Sequence, residues 1–95
     1  MNKEELTMIS FEIVSYAGDA RSKLLLALEK AKQGLFEECD ALIAAANECL
    51  VSAHNAQMDV MQAEANGQDV VMGFIMVHAQ DHLMNAILCQ DLARE

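Results

Sequence analysis

Apolar residues recur at three- and four-residue steps through three long stretches of this chain, and no proline interrupts any of them. Such spacing puts one apolar stripe along each of three helices. In the first stretch Leu6, Ile9, Ile13, Tyr16, Ala20, Leu24, Ala27 and Ala31 keep the period, which predicts a helix over residues 4–33. Gly34 follows and is free to adopt the left-handed conformation that ends a helix. Cys39, Leu42, Ile43, Ala46, Leu50, Ala53 and Gln57 predict a second helix over 36–65, stopped by Asn66-Gly67. Asp69 suits the N-cap of a third, over 70–93. Gly18 lies inside the first stretch at a cost of about 1 kcal/mol relative to Ala, and is expected to permit a bend or a close contact near Ala17 and Ala20.

Long helices joined by short connections pack antiparallel. The 95 residues therefore predict one domain, an all-α up-down-up three-helix bundle. The chain is 54% apolar and only 4% aromatic, a high apolar share for so small a helical monomer, so self-association is expected. The third stretch sharpens this. Val70, Val71, Phe74, Ile75, Met76, Val77, Leu83, Met84, Ile87 and Leu88 cover an arc too wide for two partner helices to bury.

A net charge of −9 with only six Lys and Arg leaves no room for a basic patch, which argues against nucleic-acid and anionic-membrane binding. The acidic start, Met1-Asn2-Lys3-Glu4-Glu5, lacks the basic and apolar regions of a signal peptide. No apolar run reaches membrane-spanning length without charges. A cytoplasmic protein is expected. Cys39, Cys49 and Cys89 fall in helical stretches, and the first two stand roughly 15 Å apart along one helix, too far to bridge. Buried free thiols are the reading that follows.

The chemistry concentrates in His78-Ala79-Gln80-Asp81-His82. Asp81 shares a stripe with Phe74, Val77, Met84 and Leu88, where an ionised carboxylate must be paired, protonated or bound to a cation. One resolution is a basic residue from another helix, Arg21 or Lys23. Another is a symmetry axis on which copies of Asp81 converge around a cation; three carboxylates and three waters suit octahedral Mg²⁺. His78 and His82 stand one turn apart. Such a pair can ligate zinc, with Asp81 or His54 as a further ligand, or it can supply a nucleophilic imidazole held by its neighbour.

The octet Val77-His78-Ala79-Gln80-Asp81-His82-Leu83-Met84 resembles the active-site signature of the lactose/cellobiose-type (including chitobiose) enzyme IIA family of the bacterial phosphoenolpyruvate-dependent sugar phosphotransferase system. Gly18-Asp19-Ala20-Arg21-Ser22, Ala31-Lys32-Gln33-Gly34-Leu35-Phe36, Ala53-His54-Asn55-Ala56-Gln57 and Glu64-Ala65 with Gly67 resemble further family segments, in order, on all three helices. The resemblance implies a homotrimer of three-helix bundles. It implies that His78 accepts a phosphoryl group from the histidine-containing phosphocarrier protein and passes it to a cysteine of enzyme IIB during disaccharide uptake. It implies that Asp81 holds a metal, Mg²⁺, shared by three subunits. Gln80 and His82 are then expected as donors beside the phosphorylated ring, and His54 and Gln57 as candidates to reach the site from the second helix or a neighbouring subunit. Leu35 departs from the acidic residue common at that position, Met58 from a threonine, and the chain ends at Arg94-Glu95 where family members continue. The competing reading is a metal-stabilised helical oligomeric adaptor in which His78, Asp81 and His82 are structural.

Overall fold

The computed structural model describes residues 1–68, 70 and 73–94, with the side chain of Phe74 excepted. It contains three helices, α1 (Lys3–Lys32), α2 (Phe36–Ala65) and α3 (Phe74–Ala93). They form an elongated bundle measuring 50 × 21 × 16 Å. None of these helices is long and apolar enough to cross a membrane.

Local chemistry sets the ends. Asn2 caps α1, its side-chain oxygen accepting from the amide of Glu5 at 2.8 Å. Glu4 and Glu5 occupy the first turn and Lys30 and Lys32 the last, matching the helix dipole at both ends. Both α1 and α2 end in the same way. Gly34 takes φ +79 and Gly67 φ +85. The amide of Gly34 reaches the carbonyl of Ala31 at 3.0 Å, and that of Leu35 reaches Lys30 at 2.9 Å. Gly67 and Gln68 repeat the pattern onto Glu64 and Ala63, each at 3.0 Å. These paired bonds are Schellman caps, and each satisfies two carbonyls that the helix end would leave open.

The third helix departs from the sequence expectation. It begins at Phe74, four residues after Val70, with Gly73 at the N-cap and no side chain capping it. Val70 lies outside the helix, half-buried against a small cluster of Leu6, Val60 and Met76. The expected cap, Asp69, and Val71 lie outside the described residues.

The core follows a stricter rhythm than a helical stripe requires. Buried positions are Leu6, Ser10, Ile13, Ala17, Ala20, Leu24 and Ala27 on α1. On α2 they include Cys39, Ala46, Leu50, Ala53 and Val60, and on α3 Met76, Ala79, Leu83, Ala86 and Gln90. Alternating steps of three and four make a seven-residue repeat, the pattern of helices that wind around one another. Alanine fills much of this seam, so the helix axes approach closely while Ile13, Leu24, Leu50 and Leu83 fill the space between. Ile9 and Tyr16 drift off this repeat; Tyr16 is exposed and the buried position passes to Ala17. Gly18 makes no close approach, because a Cβ added there would meet nothing within 4 Å. Ala17 and Ala20 are themselves buried in the core.

The bundle is lopsided. α1 packs extensively on both partners, whereas α2 and α3 touch each other least. Between α2 and the start of α3 lies a cleft of about 340 Å³, lined by Gln57, Val60, Met61, Glu64, Ala65, Met76 and Gln80. On α3, Val77, Met84, Leu88 and Leu92 stay 49–64% exposed. The wide apolar arc read from the sequence is therefore covered only in part by α1 and α2.

Candidate functional site

At about 100° per residue, the buried face of α3 runs through Met76, Ala79, Leu83 and Ala86. Asp81 points directly away from it. It sits at the centre of the exposed apolar face, flanked by Val77, Met84 and Leu88. The pairing with Lys23 or Arg21 does not form: Lys23 instead bonds Asp19 at 2.6 Å, and Arg21 is exposed. Among the described residues Asp81 makes no ion pair. One exposed carboxylate would hold Mg²⁺ weakly, with waters filling most of its six positions. The oxygen donors of Asp81 suit Mg²⁺, and they would suit it better where several copies of the residue meet.

His78 is exposed at the edge of that face, and His82 is half-buried one turn further on. Their Nε2 atoms lie 3.0 Å apart. The rings meet edge-on, with centroids 4.4 Å apart and planes at 78°. Each neutral imidazole has one N–H and one bare nitrogen. The contact therefore requires one facing nitrogen to donate and the other to accept. If His82 donates, His78 carries its own proton on Nδ1 and presents a lone pair at Nε2, the atom needed for nucleophilic attack. His78 stands one turn into α3, near the N-terminal end where the helix dipole favours negative charge. The first turn contains no acidic residue.

Gln80 is placed elsewhere. Two positions from His78, it falls roughly 200° around the helix. Its carbonyl oxygen accepts from the side-chain amide of Gln57, and its own amide donates to Met76 Sδ at 3.6 Å. Within one chain it is thus not a donor beside the His78 ring. Ser10, buried on α1, bonds the Leu6 carbonyl at 2.6 Å and approaches the same sulfur at 3.6 Å. This link from α1 through Met76 to Gln80 was missed from sequence, although Ser10 stands on the seven-residue repeat between Leu6 and Ala17. His54 is exposed on α2, one turn from Gln57. A zinc site is not assembled: among the described residues no three His, Cys, Asp or Glu side chains converge.

The cysteines are all free, but only Cys39 is buried; Cys49 and Cys89 are half-buried. The Cys49 thiol lies 3.3 Å from Asp19, across the α1–α2 interface. Burial, then the hydrogen bond to Asp19, raises its pKa and keeps the thiol protonated. The hydrogen bond from Lys23 comes first in lowering Asp19, with that from Cys49 behind it. Asp19 in turn raises Lys23.

Comparison with known proteins identifies the family of the chain. The family model "PTS system, Lactose/Cellobiose specific IIA subunit" matches residues 8–95. The lactose-specific EIIA component of the phosphotransferase system from Streptococcus mutans is 50% identical over 94 residues, covering 99% of this chain and 90% of that protein. The crystal structure of the cellobiose-specific enzyme IIA from Bacillus anthracis superposes with a TM-score of 0.92 at 38% identity, over 99% of this chain and 84% of that one. The solution structure of the chitobiose IIA–HPr complex of Escherichia coli matches with a TM-score of 0.79 at 30% identity, over 94% of this chain and 86% of that one. The chain belongs to the lactose/cellobiose-specific IIA family of the phosphoenolpyruvate-dependent phosphotransferase system.

Proposed function

We propose that this chain carries a phosphoryl group on His78 between the histidine-containing phosphocarrier protein, HPr, and a cysteine of enzyme IIB during uptake of a disaccharide. The observation that carries the reading is the exposed His78 ring with His82 Nε2 at 3.0 Å. In the forward step His78 Nε2 attacks phosphorus in line. A P–N bond forms on His78 as the P–N bond to the donor histidine breaks, and the donor ring keeps the electron pair. Such transfers depend on positioning and on neutralising the equatorial oxygens. The His82 N–H, first aimed at the His78 lone pair, becomes free to donate to a phosphoryl oxygen. In the second step a cysteine thiolate of IIB attacks the phosphorus, an S–P bond forms as the P–N bond on His78 breaks, and His78 Nε2 keeps the electron pair. An HPr complex is known for the chitobiose relative, which supports the donor assigned here. The net charge of −9 would draw a basic donor surface toward this protein.

We further propose a homotrimer in which the exposed face of α3 meets its copies. Val77, Met84 and Leu88 would bury against one another, and three Asp81 carboxylates would hold one Mg²⁺. The cation's chemistry there is to neutralise converging charge, and the transfer steps do not pass through it.

The test is incubation with phosphoenolpyruvate, enzyme I and HPr. One acid-labile phosphoryl group per chain is expected, and none on His78→Ala. Absence of label on the intact protein, with active upstream components, would overturn the assignment.

A further inference from the structure

The two turns of the bundle close their helices alike, but their capping side chains differ by one methylene. Gln33-Gly34 closes α1 and Asn66-Gly67 closes α2, each with an amide side chain at the C-cap and a glycine of positive φ after it. All four residues are exposed. An asparagine followed by glycine is prone to react with its own backbone, because the next nitrogen reaches the side-chain carbonyl and closes a five-membered ring. Glutamine needs a six-membered ring, which closes far more slowly. A side chain on the following residue crowds the attacking nitrogen, and glycine has none. The other asparagines, Asn2, Asn47, Asn55 and Asn85, precede Lys3, Glu48, Ala56 and Ala86. Asn66 is singled out twice, by its own length and by its neighbour.

We propose that Asn66-Gly67 is a site of spontaneous covalent modification, and that the cap ending α2 sets its rate. Gly67 N attacks Asn66 Cγ. A C–N bond forms, the bond to the side-chain nitrogen breaks, and ammonia leaves with the proton from Gly67. Water then opens the cyclic imide. Opening at Cγ leaves aspartate at position 66. Opening at the α-carbonyl leaves isoaspartate, whose backbone runs through the side chain and is one methylene longer. The folded protein opposes the first step. The attacking nitrogen carries the N–H that donates to the Glu64 carbonyl at 3.0 Å, and the Gln68 amide donates to Ala63 at 3.0 Å. The Met1 ammonium donates to Gln68 Oε1 at 3.1 Å. Met1 packs with Val70 against Leu6, Val60 and Met76, which holds the turn down. Ring closure rotates the 66–67 peptide, so the bond to Glu64 must break first, and only chains whose cap has opened react. Once isoaspartate forms, the added methylene shifts both cap bonds out of register. Either product puts a carboxylate at the negative end of the α2 dipole, where the last turn has no basic residue and already holds Glu64. Reaction therefore loosens the turn that leads into α3.

Peptide mapping by mass spectrometry tests this. The protein is incubated in mildly alkaline buffer and, separately, in guanidinium, and Gln33 and every asparagine are followed over time. In buffer Asn66 should convert to a carboxylate while Gln33, Asn47, Asn55 and Asn85 stay intact, and isoaspartyl methyltransferase should label the product at 66. Conversion should be at least about tenfold faster in guanidinium, where the cap is gone. Gln68→Ala, which frees the turn from Met1, should speed conversion of the folded chain. Asn66→Gln copies the α1 cap and should stay unmodified. An Asn66 that survives in buffer while it converts in guanidinium overturns the site in the folded protein. Equal rates in the two solutions overturn the control by the cap. Gln33 converting as fast as Asn66 overturns the argument from ring size.

Discussion

The Nε2 atoms of His78 and His82 face each other at 3.0 Å, so one of the two rings must be a donor to the other. Under the proposed carrier reading, that relationship would give His82 a defined task, fixing the tautomer of His78 before transfer and donating to the phosphoryl group after it. Replacing His82 by Ala removes both. Acceptance from phosphorylated HPr should slow by roughly a hundredfold, the usual scale for one lost donor at a developing charge. His82→Gln, whose amide can still donate, should recover part of the rate. Rapid-quench labelling decides it, and equal rates for wild type and His82→Ala would show the contact to be incidental.

Asp81 lies on an apolar exposed face and pairs with no cationic side chain among the described residues. Asp81→Leu removes three converging charges from the proposed axis and adds apolar surface. The trimer should persist or tighten, by sedimentation equilibrium, while bound Mg²⁺ falls to background by elemental analysis. Dissociation into monomers would show instead that the carboxylate makes a necessary polar contact.

Much of this molecule is legible in its residues. The stripes, the two glycine stops and the all-α class follow from period and punctuation alone, because Gly34 and Gly67 take a positive φ that other residues resist. The start of α3 was less legible. The apolar residues from Val70 onward fit a helix as well as a packed loop, and Val70 is held by contacts with Leu6, Val60 and Met76 that lie far away in sequence. Spacing also told His78 and His82 apart from their neighbours, since i and i+4 must share a face. The same rule sets Gln80 apart from His78, but its partners Gln57 and Met76 emerge only once α2 and α3 are placed together. The inward or outward sense of the Asp81 stripe was hidden for a related reason. α3 is apolar on both sides, and only the packing of α1 shows which side is core.

The Gly34 cap makes a stability prediction. Its φ of +79 lies in the region where a Cβ crowds the backbone, although a Cβ there would meet no neighbouring atom. Gly34→Ala should therefore lower unfolding free energy by about 1 kcal/mol through conformation alone. Gly18→Ala, inside α1 where a Cβ also meets nothing within 4 Å, should raise it by up to about 1 kcal/mol. Urea titrations of the two variants should move in opposite directions.

Asp19, Lys23 and Cys49 form a small charged knot between α1 and α2, at 2.6 Å and 3.3 Å from the shared carboxylate oxygen. Asp19 is depressed, so its stabilising contribution is present above the ordinary carboxylate range and is lost as pH falls through its folded value. Lys23 is raised, so its contribution holds below the ordinary lysine range and is lost as pH rises through the folded value. Cys49 reports on the same carboxylate by another route. Burial is the first cause of its raised pKa and the Asp19 hydrogen bond the second. Asp19→Asn removes the carboxylate charge and so weakens the second cause, and it leaves Lys23, 4.0 Å from the sulfur, to favour the thiolate. Alkylation of Cys49 by iodoacetamide, mapped by mass spectrometry across pH, should therefore begin at lower pH in Asp19→Asn than in the wild type. Cys89, which lies outside this knot, supplies the internal control and should keep its profile. A Cys49 profile that does not move would show that burial alone holds the thiol protonated.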